Sequence, residues 1–348
     1  MSRRPSLDAR RRGPHILIEL SRIDEESAPG PFAYATALAE ALPPLLPAGT
    51  VTVHGPGWRR GDAEPAPDAV LRLDGGGPPR GVHSVVAVPD VAHLLARRGL
   101  GLAGWARRNW SVSWASRQAS VLIAPSRFVA DSLERYLRVP AARLALVPPG
   151  LPGWFQRAPR KGTAALRAEL GIPDRYFLIA GRALPSRNLD LLLRVWAAAE
   201  SRLGAGVGLV VAGMQPPRRA PAGVVGIGRI PRGRMPALLS GAVAFLHAGL
   251  HEGSALSVIE AMACGTPPIV GASGALPEVV AGAGLVLDLG EETAWTAALI
   301  LLATQPEVRS GFAGRCRELA VAFSAEASAR ALAPHLLPRP ERGPGAVT

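Results

Sequence analysis

Lysine is almost missing from this chain. Lys161 is the single one among 39 basic residues, which 27 acidic residues offset to a net charge of +12 over 348 residues. With abundant alanine, glycine and proline, that preference for arginine points to a GC-rich coding bias. Cysteine is nearly as scarce. Cys264 and Cys316 stand at no metal-ligand spacing, and two thiols make no disulfide framework, which fits a reducing cytoplasm. Aromatic residues are 5% of the chain. No apolar run approaches the roughly 20 residues of a membrane span. The arginine-rich start (Arg3, Arg4, Arg10, Arg11, Arg12) has no apolar stretch of the kind a signal peptide needs. No D-x-D triplet occurs. A basic balance attracts nucleic acid, anionic lipid or phosphorylated substrates. No nucleic-acid-binding motif accompanies it, so nucleic acid is not an expected partner.

What is present suits a large globular fold. The chain is 48% hydrophobic and 19% charged, and its length suffices for two domains. Its 39 glycines and 34 prolines are spread between periodic segments rather than clustered. Residues 1–13 read as a disordered basic tail. Short apolar runs then alternate with helical patterns: HILIELSR (15–22), VTVHG (51–55), AVLRLDG (69–75), HSVVAVPD (83–90), VLIAPS (121–126) and ARLALVPPG (142–150). After a linker expected over 158–165 the alternation resumes with YFLIAG (176–181), VGLVVAG (207–213), VVGIGRI (224–230), AVAFLHAG (242–249), PPIVGA (267–272) and GLVLD (284–288). Strands that alternate with helices predict α/β architecture with doubly wound parallel sheets. The expected division is a first domain over 14–157, a second over 158–323, and a final helix over 324–337 that crosses back to the first.

The densest chemistry lies at 252–267, EGSALSVIEAMACGTP. It follows a buried-strand pattern, so the chain runs strand, acidic turn, helix. Ser254 is the expected helix cap, with Glu260 about two turns into the helix. Glu252 then sits beside a helix N-terminus, where backbone N–H groups and the dipole favour an anion such as phosphate. A carboxylate there suits hydroxyls of a sugar attached to that phosphate. Upstream, Arg182 leaves the carboxyl end of a strand and Arg187 precedes a helix. Ligands of open α/β sheets bind at such strand ends, where two guanidiniums can clamp a diphosphate.

The 252–267 stretch resembles the signature E-G-F-G-L-P-x-x-E-A-M-A-x-G-x-P of the retaining glycosyltransferases of family 4. The segment GRALPSR (181–187) is similar to that family's G-R-L-x-x-x-K-G. GPFAYATALAEAL (30–42) is similar to its glycine loop and first helix, and VLIAPSRFVADSLERYL, VPPG and ALPEVVAGAGLVLD (275–288) extend the likeness over most of the chain. The resemblance implies the GT-B fold, two Rossmann-like domains facing across a cleft. It also implies metal-independent transfer of a hexose such as mannose or glucose from a nucleotide-diphosphate sugar, with no cofactor. The acceptor is left open as a glycan, a lipid or a small molecule. By the same resemblance Arg182, Arg187 and Glu252 serve catalysis. Gly30, Ser254, Ala255, Leu256 and Glu260 bind the donor, with Glu260 on the ribose and the turn amides facing phosphate. Glu278 is expected to cap or pair structurally.

Three departures keep a second reading open, a degenerate GT-B protein that binds nucleotide or a partner without transferring sugar. Ser254 and Ala255 replace the family's Phe and second Gly, and Ser257 replaces a Pro. If the backbone at Ala255 needs a positive φ, the methyl costs about a kcal/mol. Where the family has His-Asp facing the donor sugar, this chain has Pro89-Asp90, with His93 three residues beyond Asp90. Other signals are set aside. GLGLAG (99–104) follows a helical pattern rather than a strand, and Gly249 separates His247 from His251, against a helical metal pair. Trp105, Trp110 and Trp114, interleaved with Arg107, Arg108 and Arg117, form either a helix docked on the first core or a helix on the inner membrane surface.

Overall fold

A computed structural model describes residues 14–19, 29–46, 51–54, 67–73, 81–95, 102–182 and 184–337. The first half carries β1 (Ile16–Glu19), α1 (Pro29–Ala41), β2 (Val51–His54), β3 (Ala69–Arg72), β4 (His83–Ala87), α2 (Ala92–Leu95), α3 (Leu102–Gln118), β5 (Val121–Ala124), α4 (Arg127–Leu137) and β6 (Leu144–Leu146). Its six strands are all parallel, in the order β2-β1-β3-β4-β5-β6. The order reverses between β1 and β3. The tail expected at 1–13 lies outside the described residues, as do residues 99–101 of the glycine-rich stretch. His93 falls on α2, its side chain also outside them.

The second half runs α5 (Arg160–Leu170), β7 (Arg175–Ala180), α6 (Leu189–Ala199), β8 (Val207–Ala212), β9 (Val224–Gly228), α7 (Met235–Gly241), β10 (Ala244–His247), α8 (Leu256–Ala263), β11 (Pro268–Gly271), α9 (Leu276–Val280), β12 (Leu285–Leu287), α10 (Glu292–Thr304), α11 (Pro306–Ala320) and α12 (Ala325–Leu332). Its sheet, again parallel, has the order β12-β11-β10-β7-β8-β9. Counted from β7 this is 3-2-1-4-5-6, the strand order of dinucleotide-binding folds, with its switch point between β7 and β10. The stretch expected as a linker at 158–165 is mostly helix. Pro159 precedes the first turn of α5 and Gly171 closes it in the left-handed region, the proline-first, glycine-last pattern of a short helix.

Alternation along the strands builds the layers. In the second sheet Tyr176, Leu178 and Phe245 face Leu239, Ile259 and Met262, while Phe177, Ile179 and Leu246 face Trp196 and Trp295. Both tryptophans are fully buried, and each indole N–H donates to a carbonyl, Ala222 at 2.8 Å and Asp288 at 2.9 Å. That satisfies the one polar atom such a ring brings inside. In the first sheet Ile16, Ile18, Leu71 and Ile123 pack under α1, whereas Val86 and Leu122 pack under α3 and α4. Helix α3 docks through Val112 and Ala115, and Trp110 points outward, 68% exposed and stacked on Trp114. Among the described residues no helix is long and apolar enough to cross a membrane.

Two sets of contacts join the halves. Leu151 pairs with Ser324 in an isolated parallel bridge, and Ala329, Leu332 and Leu336 bury in the core beneath β1 and α1. The crossing is tight: a Cβ on Gly150 would lie 2.4 Å from the Ser324 carbonyl oxygen. On the cleft side Ser126 caps α4. Its hydroxyl accepts from the Val129 N–H at 3.2 Å and donates to the Gly253 carbonyl at 2.7 Å. Glu278 accepts the N–H groups of Arg127 and Phe128, each at 3.1 Å. A carboxylate of the second half thus complements the dipole of a first-half helix.

Candidate functional site

The charged residues singled out in the sequence gather at the β7/β10 switch point. Gly181 ends β7 with φ +139°, a conformation that favours glycine, and the Arg187 guanidinium lies over it. Arg187 sits in a short 3-10 turn before α6. Its Nη1 is 3.4 Å from Glu252 Oε2 and 2.5 Å from His247 Nε2. His247 is the last residue of β10 and is buried. Its Nδ1 accepts the Gly249 amide at 3.1 Å. The proton is therefore on Nε2, which donates to Glu252 Oε2 at 3.0 Å. Imidazole and guanidinium are both donors, so the acceptor they share is that one carboxylate oxygen.

The loop holding Glu252 is clamped from two sides. The Ala275 amide donates to the Glu252 carbonyl at 2.8 Å. A Cβ on Gly274 would lie 2.4 Å from that carbonyl oxygen, and one on Gly253 would lie 2.6 Å from the Pro89 carbonyl of the first half. Burial pushes the Glu252 pKa up, but the His247 hydrogen bond, the Arg187 charge and the Ala255 amide more than offset it and hold the group at about 2. Glu252 is a carboxylate at any working pH.

Ser254 does not cap α8, as the sequence had suggested. The N-cap is Ala255, in the left-handed region at φ +50°, with no side-chain cap. The physical reason is that the Glu252 carboxylate reaches the Ala255 amide and replaces the hydroxyl. That amide therefore has the Glu252 carboxylate as a partner within the protein. Glu260 is also closer to the helix start than expected, the fifth residue of a helix that begins at Leu256. It is 5% exposed, and its Oε1 receives Arg232 Nη2 at 2.6 Å. Arg232 in turn covers the Phe155 ring at 4.8 Å. Burial raises the Glu260 pKa against the pull of Arg232 and Arg187. Gly30 completes this second cluster from α1: a Cβ there would lie 3.1 Å from Leu256 and 3.8 Å from Glu260 Oε1.

The structure thus joins Arg187 to Glu252, and Gly30 and Leu256 to Glu260. It leaves Arg182 exposed at the end of β7, with no ion pair to either carboxylate among the described residues. Sequence reasoning missed His247 and Arg232. A polar residue ending the apolar run AVAFL was the signal for the first; nothing in the sequence ties Arg232 to Glu260, 28 positions on. Glu278 pairs structurally, as expected. A separate cavity of about 460 Å³ lies against α1, lined by Glu40, Trp154, Arg232 and Glu326 among others, and it includes neither Glu252 nor Glu260. Chemically, the switch point offers one fixed carboxylate, one ion-paired carboxylate and two arginines at strand ends, groups suited to hydroxyls and phosphate oxygens.

Comparison with known proteins agrees with this reading. Residues 163–318 match the family model for glycosyl transferases group 1 and residues 31–152 that for glycosyltransferase family 4, together most of the chain. The chain is 33% identical over 233 residues to a D-inositol 3-phosphate glycosyltransferase of Actinosynnema mirum, an alignment covering 60% of this chain and 54% of that one. It therefore spans about half the length of the curated relatives it matches. Among solved structures it resembles sucrose-phosphate synthase from Thermosynechococcus elongatus, with TM-score 0.74, 19% identity and coverage of 93% and 98%. It also resembles Anabaena Alr3699/HepE in complex with UDP-glucose, with TM-score 0.70, 15% identity and coverage of 93% and 99%. At such identities the likeness is one of fold.

Proposed function

Because the chain belongs to family 4 of the glycosyltransferases and has the GT-B fold, we propose that it transfers a hexose from a nucleoside-diphosphate sugar to an acceptor, with retention of configuration. The observation that carries the proposal is the pairing of Arg187 with Glu252 and of Arg232 with Glu260 beside the N-terminal half of α8, at the switch point of the second sheet. A structural neighbour solved with UDP-glucose supports a donor of that class.

Arg182 and Arg187 take the diphosphate. Both lie at the carboxyl end of β7, and Arg182 is unencumbered on the surface of that loop. Glu252, held ionised, accepts hydrogen bonds from donor-sugar hydroxyls, and Glu260 accepts from the ribose. The bond from the anomeric carbon to the diphosphate oxygen breaks. The acceptor oxygen bonds to that carbon on the same face, and its proton passes to the departing phosphate oxygen. The protein contributes orientation and stabilisation of the charge on the leaving group. The work is assigned to the cytoplasm, where the buried thiols of Cys264 and Cys316 remain free. A binding-only protein is the second reading. It is favoured by Pro89, whose side chain offers no hydrogen-bonding group where the family has an imidazole.

The test is thermal stabilisation and slow donor hydrolysis across UDP, GDP and ADP conjugates of glucose and mannose, with Glu260→Ala alongside. A ligand at 100 times its dissociation constant adds about 2.7 kcal/mol of stability. Stabilisation with sugar release is the expected result and names the donor. Stabilisation without release, with acceptors such as inositol phosphate also present, selects the binding-only reading. No stabilisation by any conjugate sinks the donor site.

A further inference from the structure

His247 ends a strand whose other residues are all apolar, at a position only 3% exposed. A leucine there would fill the space without bringing polar atoms inside. Buried polar groups persist when their hydrogen bonds are met, and both ring nitrogens of His247 have partners: the Gly249 amide on Nδ1 and Glu252 Oε2 on Nε2. The second partner is what makes this more than a satisfied core histidine. Glu252 receives donors from three separate segments: His247 from β10, Arg187 from the β7–α6 connection and the Ala255 amide from the start of α8. Three donors from three directions fix the plane of a carboxylate, where one alone leaves it free to turn. The imidazole is itself locked, because the Gly249 amide fixes its tautomer and Gly249 leaves it room. A Cβ at 249 would lie 2.5 Å from the ring's Cε1.

We infer that His247 is a positioning residue, which orients Glu252 toward the donor sugar while itself staying out of the reaction. This rests on the proposed donor site. It predicts a split between the two halves of the donor. The nucleoside diphosphate should bind without His247, and the sugar should not be held in its productive pose.

The experiment uses the full chain with UDP, GDP and ADP and their glucose and mannose conjugates, after thermal unfolding has shown each variant to be folded. For the conjugate that the wild type turns over, His247→Leu is expected to lose about 100-fold in kcat/KM, the scale of a misplacement of about 1 Å, with unchanged affinity for the bare diphosphate. His247→Gln, whose amide N–H takes the place of Nε2–H, should recover most of that loss. Gly249→Ala, whose Cβ overlaps the ring and meets Glu252 Oε2 only at an ordinary contact distance of 3.7 Å, should lose as much as His247→Leu and keeps the test alive if the leucine variant misfolds. Full turnover in Gly249→Ala or His247→Leu would overturn the assignment. So would a parallel loss of diphosphate and conjugate affinity, or a glutamine variant no better than leucine. A wild-type protein that binds no conjugate would instead remove the donor site on which the assignment stands.

Discussion

Each sheet places opposite charges at the carboxyl ends of the strands flanking its switch point, by different means. On the first sheet Glu19 of β1 and Arg72 of β3 are direct register partners, 3.0 Å apart, with side chains 13% and 10% exposed. Strand pairing alone brings them together. On the second sheet Arg187, His247 and Glu252 come from a 3-10 turn, a strand end and a loop, and Arg232 and Glu260 from another loop and a helix. Backbone in the left-handed region holds that arrangement at Asn188 and Ala255. A pair fixed by register cannot rearrange without breaking the sheet. A cluster assembled from loops can adjust to a ligand, and stored backbone strain is characteristic of such sites. The first pair should therefore govern stability, and the second group activity.

Glu252→Ala is the largest test of that division. Turnover of the donor should fall about 1,000-fold, in the range seen when one preorganised group is removed from a charged transition state. Melting temperature should fall as well, because the ionised carboxylate also contributes stability, so turnover is read well below the unfolding transition. Donor hydrolysis and thermal unfolding on the same sample check both. Arg72→Ala should cost stability alone. It removes the guanidinium 3.0 Å from the mostly buried Glu19 and should cost about 3 kcal/mol, while kcat/KM measured below the unfolding transition stays near wild type. A large loss of turnover in folded Arg72→Ala would erase the contrast between the two switch points.

Acid sharpens it further. Glu252 titrates at about 2 in the folded protein against an ordinary value of 4.5. A depressed carboxylate contributes stability that is present above its unfolded value and is lost as pH falls through the folded one. The groups facing it are the Arg187 guanidinium and the His247 N–H. Stability should therefore drop between pH 4.5 and about 2, by about 3 kcal/mol from this group. In Glu252→Gln that share of the acid limb should vanish. Glu260 works the other way: its pKa is raised by burial, so its protonated form favours folding and its contribution declines as pH rises. An unchanged acid limb in Glu252→Gln would mean that the Arg187–His247–Glu252 contacts are not kept in solution.

How much of this was legible in the sequence follows from distance along the chain. The strands were, because buried parallel strands are apolar runs bounded by turn residues. Glu252, Glu260 and Arg187 were, because their spacing is local and the pattern long. Contacts that span the chain were not. Nothing marks Glu278 as the cap of a helix 150 residues away, or Arg232 as the partner of Glu260. His247 was visible as a residue and rightly set aside as half of a metal pair, but its contact with Glu252, five positions on across a loop, carries no sequence signal. The start of α5 was lost to composition: APRKG looks like a linker, yet Pro159 is well placed just before a helix and Gly162 faces open space. The cap of α8 was lost to competition. Ser254 is the better cap by type, and a carboxylate two residues upstream reached the amide first.

Ala255→Gly is the smallest effect and bears on that competition. The residue is fully buried, at φ +50°, and belongs to the core beneath the second sheet. Glycine removes a left-handed cost of about 1–2 kcal/mol for a residue with a Cβ. It gives back about 0.8 kcal/mol of buried methyl and about 0.5 kcal/mol of unfolded-chain entropy. The net lies between a loss of about 0.3 and a gain of about 0.7 kcal/mol, so melting temperature should move by no more than about 2 °C for a unit of this size, with donor turnover unchanged. A clear loss of stability would show that the methyl group, and not the Glu252 carboxylate on the Ala255 amide, holds the turn in its left-handed form. The cap would then depend on core packing, and Glu252 would be free of that structural duty.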